Sequence, residues 1–406
     1  MQKEKIVPAI RFKGFSEEWS KEKIKELTTF RRGSFPQPYG EEKWYSGPGA
    51  MPFVQVADVG NALSLNSMTN QLISKIAMPF SVFVPKDSVI VTLQGTIGRV
   101  ALTNYDCFID RTILYFNSYR KLLDKTLFAI LIKNKFEQEA LLAPGAVIKT
   151  ITKQELNNFE LTMPNFNEQQ KIGQFFSNLD SLIHSQELKL EKLQTIKQSL
   201  LNKMFASYDQ KTPEIRFKGF DEPWKLNKFS ELFEEKRVKT TEENEDTLLS
   251  CTIDDIYLNS ELFSHFRGSS TLGYIKVMKY DLILSAQNLH LGNANVNLKY
   301  ESGIISPAYK TYKITHSDPH FIQTWVKKEN TKKFFLDATT EGASGCRKNV
   351  EWNYLYEQFI SVPILIHEQQ KIGQFFSSLD SLIHSQEQKL EKLNNIKQAL
   401  LEKMFC

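Results

Sequence analysis

The chain contains the same long segment twice. Residues 168–205 read EQQKIGQFFSNLDSLIHSQELKLEKLQTIKQSLLNKMF, and residues 368–405 read EQQKIGQFFSSLDSLIHSQEQKLEKLNNIKQALLEKMF. The offset is 200, and only positions 178, 188, 194, 195, 199 and 202 differ from their partners. A second box repeats as well: PAIRFKGFSEEW from Pro8 and PEIRFKGFDEPW from Pro213. Between the boxes the two halves diverge. A frame held fixed around varied inserts predicts one scaffold that presents two different surfaces.

The repeated segment carries a helical period. With Leu179 at heptad position a, Leu193 and Leu200 also fall at a, and Gln186 is the polar exception. Leu182 and Ile196 fall at d, and Ile183, Leu190 and Met204 at e. Ile172, Phe175 and Phe176 extend the stripe upstream, with Lys and Glu opposite. This predicts a coiled-coil-like amphipathic helix. About 36 such residues span roughly 54 Å. A helix of that length needs packing along it. Each helix could pack on its own domain, or the two copies could pair. Antiparallel pairing about a pseudo-twofold is the expectation, because near-identical faces meet naturally about such an axis. The polar face repeats too, which a packing role alone does not require. That makes His184, Gln186 and Glu187, with His384, Gln386 and Glu387, candidates for docking a partner.

The inserts read as mixed α/β (α+β). Short apolar or alternating runs such as PFVQVADV (52–59), SVIVTL (88–93) and DLILSA (281–286) predict strands. Helices are expected over 122–142 and 321–338. The expected partition is a first recognition domain at 1–165, a spacer helix at 166–206, a second domain at 207–365 and a second helix at 366–406. A faint common skeleton runs through both inserts. VADVG (56–60) is echoed by IDDIY (253–257), and SVIVTLQGTIGRV (88–100) by DLILSAQNLHLGNA (281–294). Each insert is therefore expected to be the same fold with different loops.

Composition narrows the class. The four cysteines have no CxxC or Cys/His spacing, which argues against a zinc site or disulfide framework and suits a reducing cytoplasm. No apolar run reaches the length of a membrane span, so a cytoplasmic protein is expected. The net charge of +4 is mild and by itself decides nothing about nucleic acid. No phosphate-cradling GxxxxGK[ST] loop, no HExxH and no Asn-Pro-Pro-aromatic segment is present. No metal and no catalytic residue is assigned.

Together, the two EQQKIGQFF helices, the two IRFKGF boxes followed by Trp19 or Trp224, and the VTLQGTIG-like segments resemble the specificity subunit of type I restriction-modification enzymes. The resemblance implies two target-recognition domains joined by antiparallel coiled-coil helices. It implies a non-catalytic DNA-binding subunit that reads a bipartite, non-palindromic target in double-stranded DNA. The repeated boxes and helices would dock two copies of a methyltransferase subunit and, through them, the restriction/translocase subunits. No cofactor is expected on this chain. S-adenosylmethionine, ATP and Mg²⁺ belong with the partners.

Base edges are read by Arg, Lys, Asn and Gln, and phosphates by cations and small polar groups. In the first domain Gln94, Thr96 and Arg99 of the glycine-rich loop, with Arg31, Arg32 and Lys149, are the candidate contacts. In the second they are Gln287, Asn288, His290 and Asn293 of the equivalent loop, with Arg347, Lys348 and Asn349. Two other classes stay open on sequence: an adaptor presenting two protein-binding domains on a helical rod, and an enzyme with an unseen motif.

Overall fold

In a computed structural model of the chain, the described residues are 7–60, 63–142, 151–206, 211–264, 270–341 and 348–405. Two compact units emerge, and the first is assembled from two separate stretches of chain. One comprises residues 1–185 with 390–406, the other residues 186–389.

The first unit is built on a four-stranded antiparallel sheet, in the order Thr28–Arg32, Ile113–Tyr119, Val89–Thr92, Val100–Leu102. Val89, Val91, Leu114 and Phe116 meet Leu127, Phe128 and Ile132 of the helix Lys125–Leu142 on one face. On the other face Ile90, Ala101 and Ile113 pack on Val54, Val82 and Ile109 of a second four-stranded sheet. A ribbon of Ser20–Lys23 and Glu160–Met163 leads from the box to the long helix Phe166–Lys203.

The second unit repeats the plan. Its main sheet runs Phe233–Lys236, Tyr309–Ile314, Leu282–Ser285, Ala294–Val296, strand for strand the same order. The ribbon Lys225–Lys228 with Phe359–Val362 again leads to a long helix, Ile366–Lys403. The expectation of one fold with different loops holds. The differences are local. Two-stranded pairs replace the second four-stranded sheet. The helix expected over 321–338 is split into Pro319–Val326 and Glu329–Asp337. Lys328 is extended between them, and the Thr331 hydroxyl donates to the Trp325 carbonyl at 2.6 Å.

The helices pair antiparallel. In the first unit Asp180 meets Lys397 at 2.5 Å, and the Phe176 and Phe405 rings lie 5.9 Å apart. In the second, Lys197 meets Asp380 at 2.6 Å, and Phe205 lies 6.2 Å from Phe376. The seam differs from the a/d reading. It runs through Ile172, Phe176, Ile183 and Gln186, stepping between the a and e positions. Leu182 and Ile196, placed at d, are 43% and 39% exposed. Positions a and e lie only 40° apart around a helix, whereas d lies 60° to the far side of a. Phe176 at e enters its domain's core and fixes which of the two stripes faces inward.

Candidate functional site

The repeated residues converge on one clasp in each unit. Arg11 of the first box donates from Nε and Nη2 to the two carboxylate oxygens of Glu168, at 2.6 and 2.7 Å. Arg216 does the same to Glu368, at 2.7 and 2.8 Å. This hydrogen bonding raises the Arg216 pKa above its ordinary value. Both carboxylates are fully buried. A forked Arg–carboxylate pair suits such a site because both oxygens are satisfied at once.

The next glutamine ties helix to domain. Gln169 accepts from the Asp124 amide at 3.2 Å and donates to the Pro164 carbonyl at 2.9 Å. Gln369 accepts from the Asp318 amide and donates to the Pro363 carbonyl, each at 2.8 Å. Asp124 and Asp318 cap the domain helices that press on Gly173 and Gly373. A Cβ on Gly373 would stand 2.7 Å from the Phe321 backbone nitrogen, so glycine is required there despite its poor helix propensity.

The far end of the other repeated segment closes the clasp. The amides of Ile10 and Ile215 donate to the carbonyls of Lys403 and Lys203, both at 2.9 Å. Trp19 packs edge-on against Phe405, and Trp224 against Phe205. EQQKIG and IRFKGF are thus two halves of one joint. Sequence reading missed the Arg11–Glu168 pairing, since 157 residues separate the partners. The available signal was that box and helix start repeat together.

The candidate reading loops leave equivalent strands, Val89–Thr92 and Leu282–Ser285. In the first, Gln94 and Thr96 are exposed. The loop is held by the Thr92 hydroxyl on the Thr96 carbonyl at 2.5 Å. Arg99 turns inward: its Nη1 donates to the Val59 carbonyl at 3.1 Å, and its Nε is buried. In the second loop Gln287 and Asn288 are exposed and His290 is half-buried. Asn293 is buried, donating from Nδ2 to the Cys251 carbonyl at 3.3 Å. Lys348 and Asn349 lie on a strand paired with Thr339–Glu341. Lys149 and Arg347 lie outside the described residues.

Arg31 and Arg32 end the edge strand of the first main sheet, exposed, and Arg32 Nε donates to the Arg111 carbonyl at 2.7 Å. They border a cavity of about 340 Å³ that Leu93, at the base of the Gln94 loop, also lines. Lys153 completes its rim and was not anticipated from sequence.

On the helices the polar repeat has two fates. His184, Glu187, His384 and Glu387 are exposed. His384 Nδ1 sits 3.9 Å from Glu387 and its Nε2 lies 3.0 Å from Gln388. Gln186 and Gln386, expected on the docking face, are buried instead. Gln386 Nε2 donates to Gln186 Oε1 at 2.8 Å inside the helix pair. The a position, not the outer face, describes them. Among the described residues there is no group of three or more His, Cys, Asp or Glu that could hold a metal. Nor is any of their helices long and apolar enough to cross a membrane.

With this geometry established, similarity to known proteins identifies the scaffold. Residues 16–195 match the family model of the type I restriction modification DNA specificity domain. Among curated proteins, the type I restriction enzyme MjaIX specificity subunit of Methanocaldococcus jannaschii is 23% identical over 197 residues, 47% of this chain and 45% of that protein. The putative MjaX specificity subunit of the same organism is 25% identical over 122 residues, 29% of this chain and 28% of that one. The chain spans less than half the length of these curated relatives. Its fold is like that of the type I restriction-modification S subunit from M. genitalium, with a TM-score of 0.63 at 17% identity, covering 98% of this chain and 99% of the other. The resemblance drawn from the repeated helices and boxes is borne out.

Proposed function

We propose that the chain is the DNA-specificity subunit of a type I restriction-modification assembly, reading a bipartite, non-palindromic target in double-stranded DNA. The observation that carries this is one clasp and one sheet order built twice around different loops. Such a plan supports two readers of unlike sequence on a common frame, with the helices setting the base-pair gap between half-sites. Two copies of one exposed helix face, around His184/Glu187 and His384/Glu387, support recruitment of two copies of one methyltransferase subunit. Restriction subunits would join through those. The chain itself carries no catalytic step, and S-adenosylmethionine, ATP and Mg²⁺ act on its partners.

The deciding experiment is methylation mapping in cells that carry this chain with its methyltransferase partner. A single motif of two unlike half-sites with a fixed gap is expected. A palindromic motif, or methylation indifferent to this chain's presence, would overturn the reading.

A further inference from the structure

The two units share a plan but differ at one end of their main sheets. In the first, the cavity at the edge strand has an apolar floor that includes Phe30, Leu114 and Leu156, and a rim of Arg31, Arg32 and Lys153. All three cations are exposed. Among the described residues none of them has a carboxylate partner. The neighbouring acid in the chain, Glu155, is engaged with Thr152. Its Oε2 accepts from the Thr152 amide and hydroxyl, both at 2.7 Å, and these bonds hold its carboxyl below the usual range.

Strand register identifies the same positions in the second unit. Phe30 pairs with Phe116 as Glu235 pairs with Tyr312. Leu114 pairs with Val91 as Lys310 pairs with Leu284. There the space is filled and neutralised. Lys310 Nζ donates to Glu235 and to Tyr356, each at 2.9 Å, and sits 4.3 Å from the Trp352 ring centroid. Tyr356 donates to Glu235 at 2.7 Å, and Lys236 is paired with Asp281 at 2.9 Å.

We propose that Arg31, Arg32 and Lys153 form a DNA-phosphate site that the first unit has and the second has closed, so the two readers grip the backbone unequally. The inference rests on the DNA-reading function proposed above. Uncompensated cations around a concave opening suit a phosphodiester oxygen, and such contacts position a reader on its duplex. In the second unit Lys236 stands where Arg31 does and is paired with Asp281, and Lys310 is neutralised by Glu235. Arg237, at the position of Arg32, is the one exposed cation there and also acts on the Glu235 carboxylate.

The test is the salt dependence of binding by the full chain to a mixed-sequence DNA duplex. Each phosphate contact contributes about 0.9 to the slope of log affinity against log salt. Arg31→Gln, Arg32→Gln and Lys153→Gln should each lower the slope by about that amount. Arg31→Lys and Arg32→Lys should keep it, and Lys310→Gln should leave it unchanged. Unchanged circular dichroism establishes that each variant is folded, and Arg32→Lys keeps the argument testable if loss of the Arg111 contact unsettles the strand. A wild-type slope in the three glutamine variants overturns the phosphate site while DNA reading stands. An equal fall with Lys310→Gln overturns the asymmetry. Absence of salt-dependent binding by the unaltered chain overturns the DNA reading and this inference with it.

Discussion

Glu168 and Glu368 are carboxylates with no access to water, and each is held by a single arginine fork. Removing one partner of a buried pair strands the other charge, at a cost of about 3–5 kcal/mol. Glu368→Ala should therefore lower the denaturation midpoint far more than loss of an exposed pair such as Lys332 with Glu329, which is worth about 0–1 kcal/mol. Chemical denaturation of the two variants compares them directly. Lys328 shows the opposite case, a buried ammonium packed 4.6 Å from the Phe205 ring centroid. Burial pushes its pKa down from 10.5 to about 8. Below that pH the native state carries the charge at a constant penalty. Between about 8 and 10.5 the unfolded chain holds a proton that the native state has released, so this group makes stability rise with pH across that window. Lys328→Met should raise the melting temperature at neutral pH and flatten that rise. A melting temperature that stays flat or falls from pH 8 to 10 in the wild type, relative to Lys328→Met, would contradict the assignment.

At the scale of elements, the long helices show what a sequence pattern can and cannot fix. Their existence, length and antiparallel pairing follow from period, repeat and symmetry. Which stripe forms the seam does not, because Phe175 and Phe176 are adjacent and only the domain core decides which of them enters it. Gln186 was legible in two incompatible ways, as an a-position residue and as part of a polar surface. The structure pairs it with Gln386 in the interior. A polar pair at an otherwise apolar seam fixes register at some expense of stability. Gln386→Leu alone leaves the Gln186 amide without its partner and should cost about 1–3 kcal/mol. Replacing both by Leu should recover or exceed wild-type stability while relaxing the register. Thermal melts, with cysteine cross-linking across the seam, would separate the two effects. The two candidate loops leave equivalent strands, as the shared skeleton predicts, yet Arg99 and Asn293 turn inward. A list of polar residue types does not say which side chains the loop spends on its own backbone. Lys153 escaped notice because only the fold brings it beside Arg31.

At the scale of the molecule, the units do not follow the chain. The first unit is completed by residues 390–406, whose Leu400, Met404 and Phe405 join Trp19 and Phe176 in one core. A chain stopped after Lys389 should leave Trp19 and Phe176 partly uncovered, although every residue of the first sheet is present. Red-shifted tryptophan emission and faster proteolysis of the first unit are the expected signs. A truncated chain whose first unit melts like that of the intact protein would refute this dependence. The same layout orders events during synthesis. The segment that closes the first unit emerges about 200 residues after that unit's own sheet and helix, a delay of roughly 10–40 s at ordinary translation rates. Until then the box around Arg11 and the start of its helix form an open joint with an exposed aromatic lining. An interrupted message therefore yields no finished first unit, and the apolar lining left bare marks the fragment for chaperones and proteases.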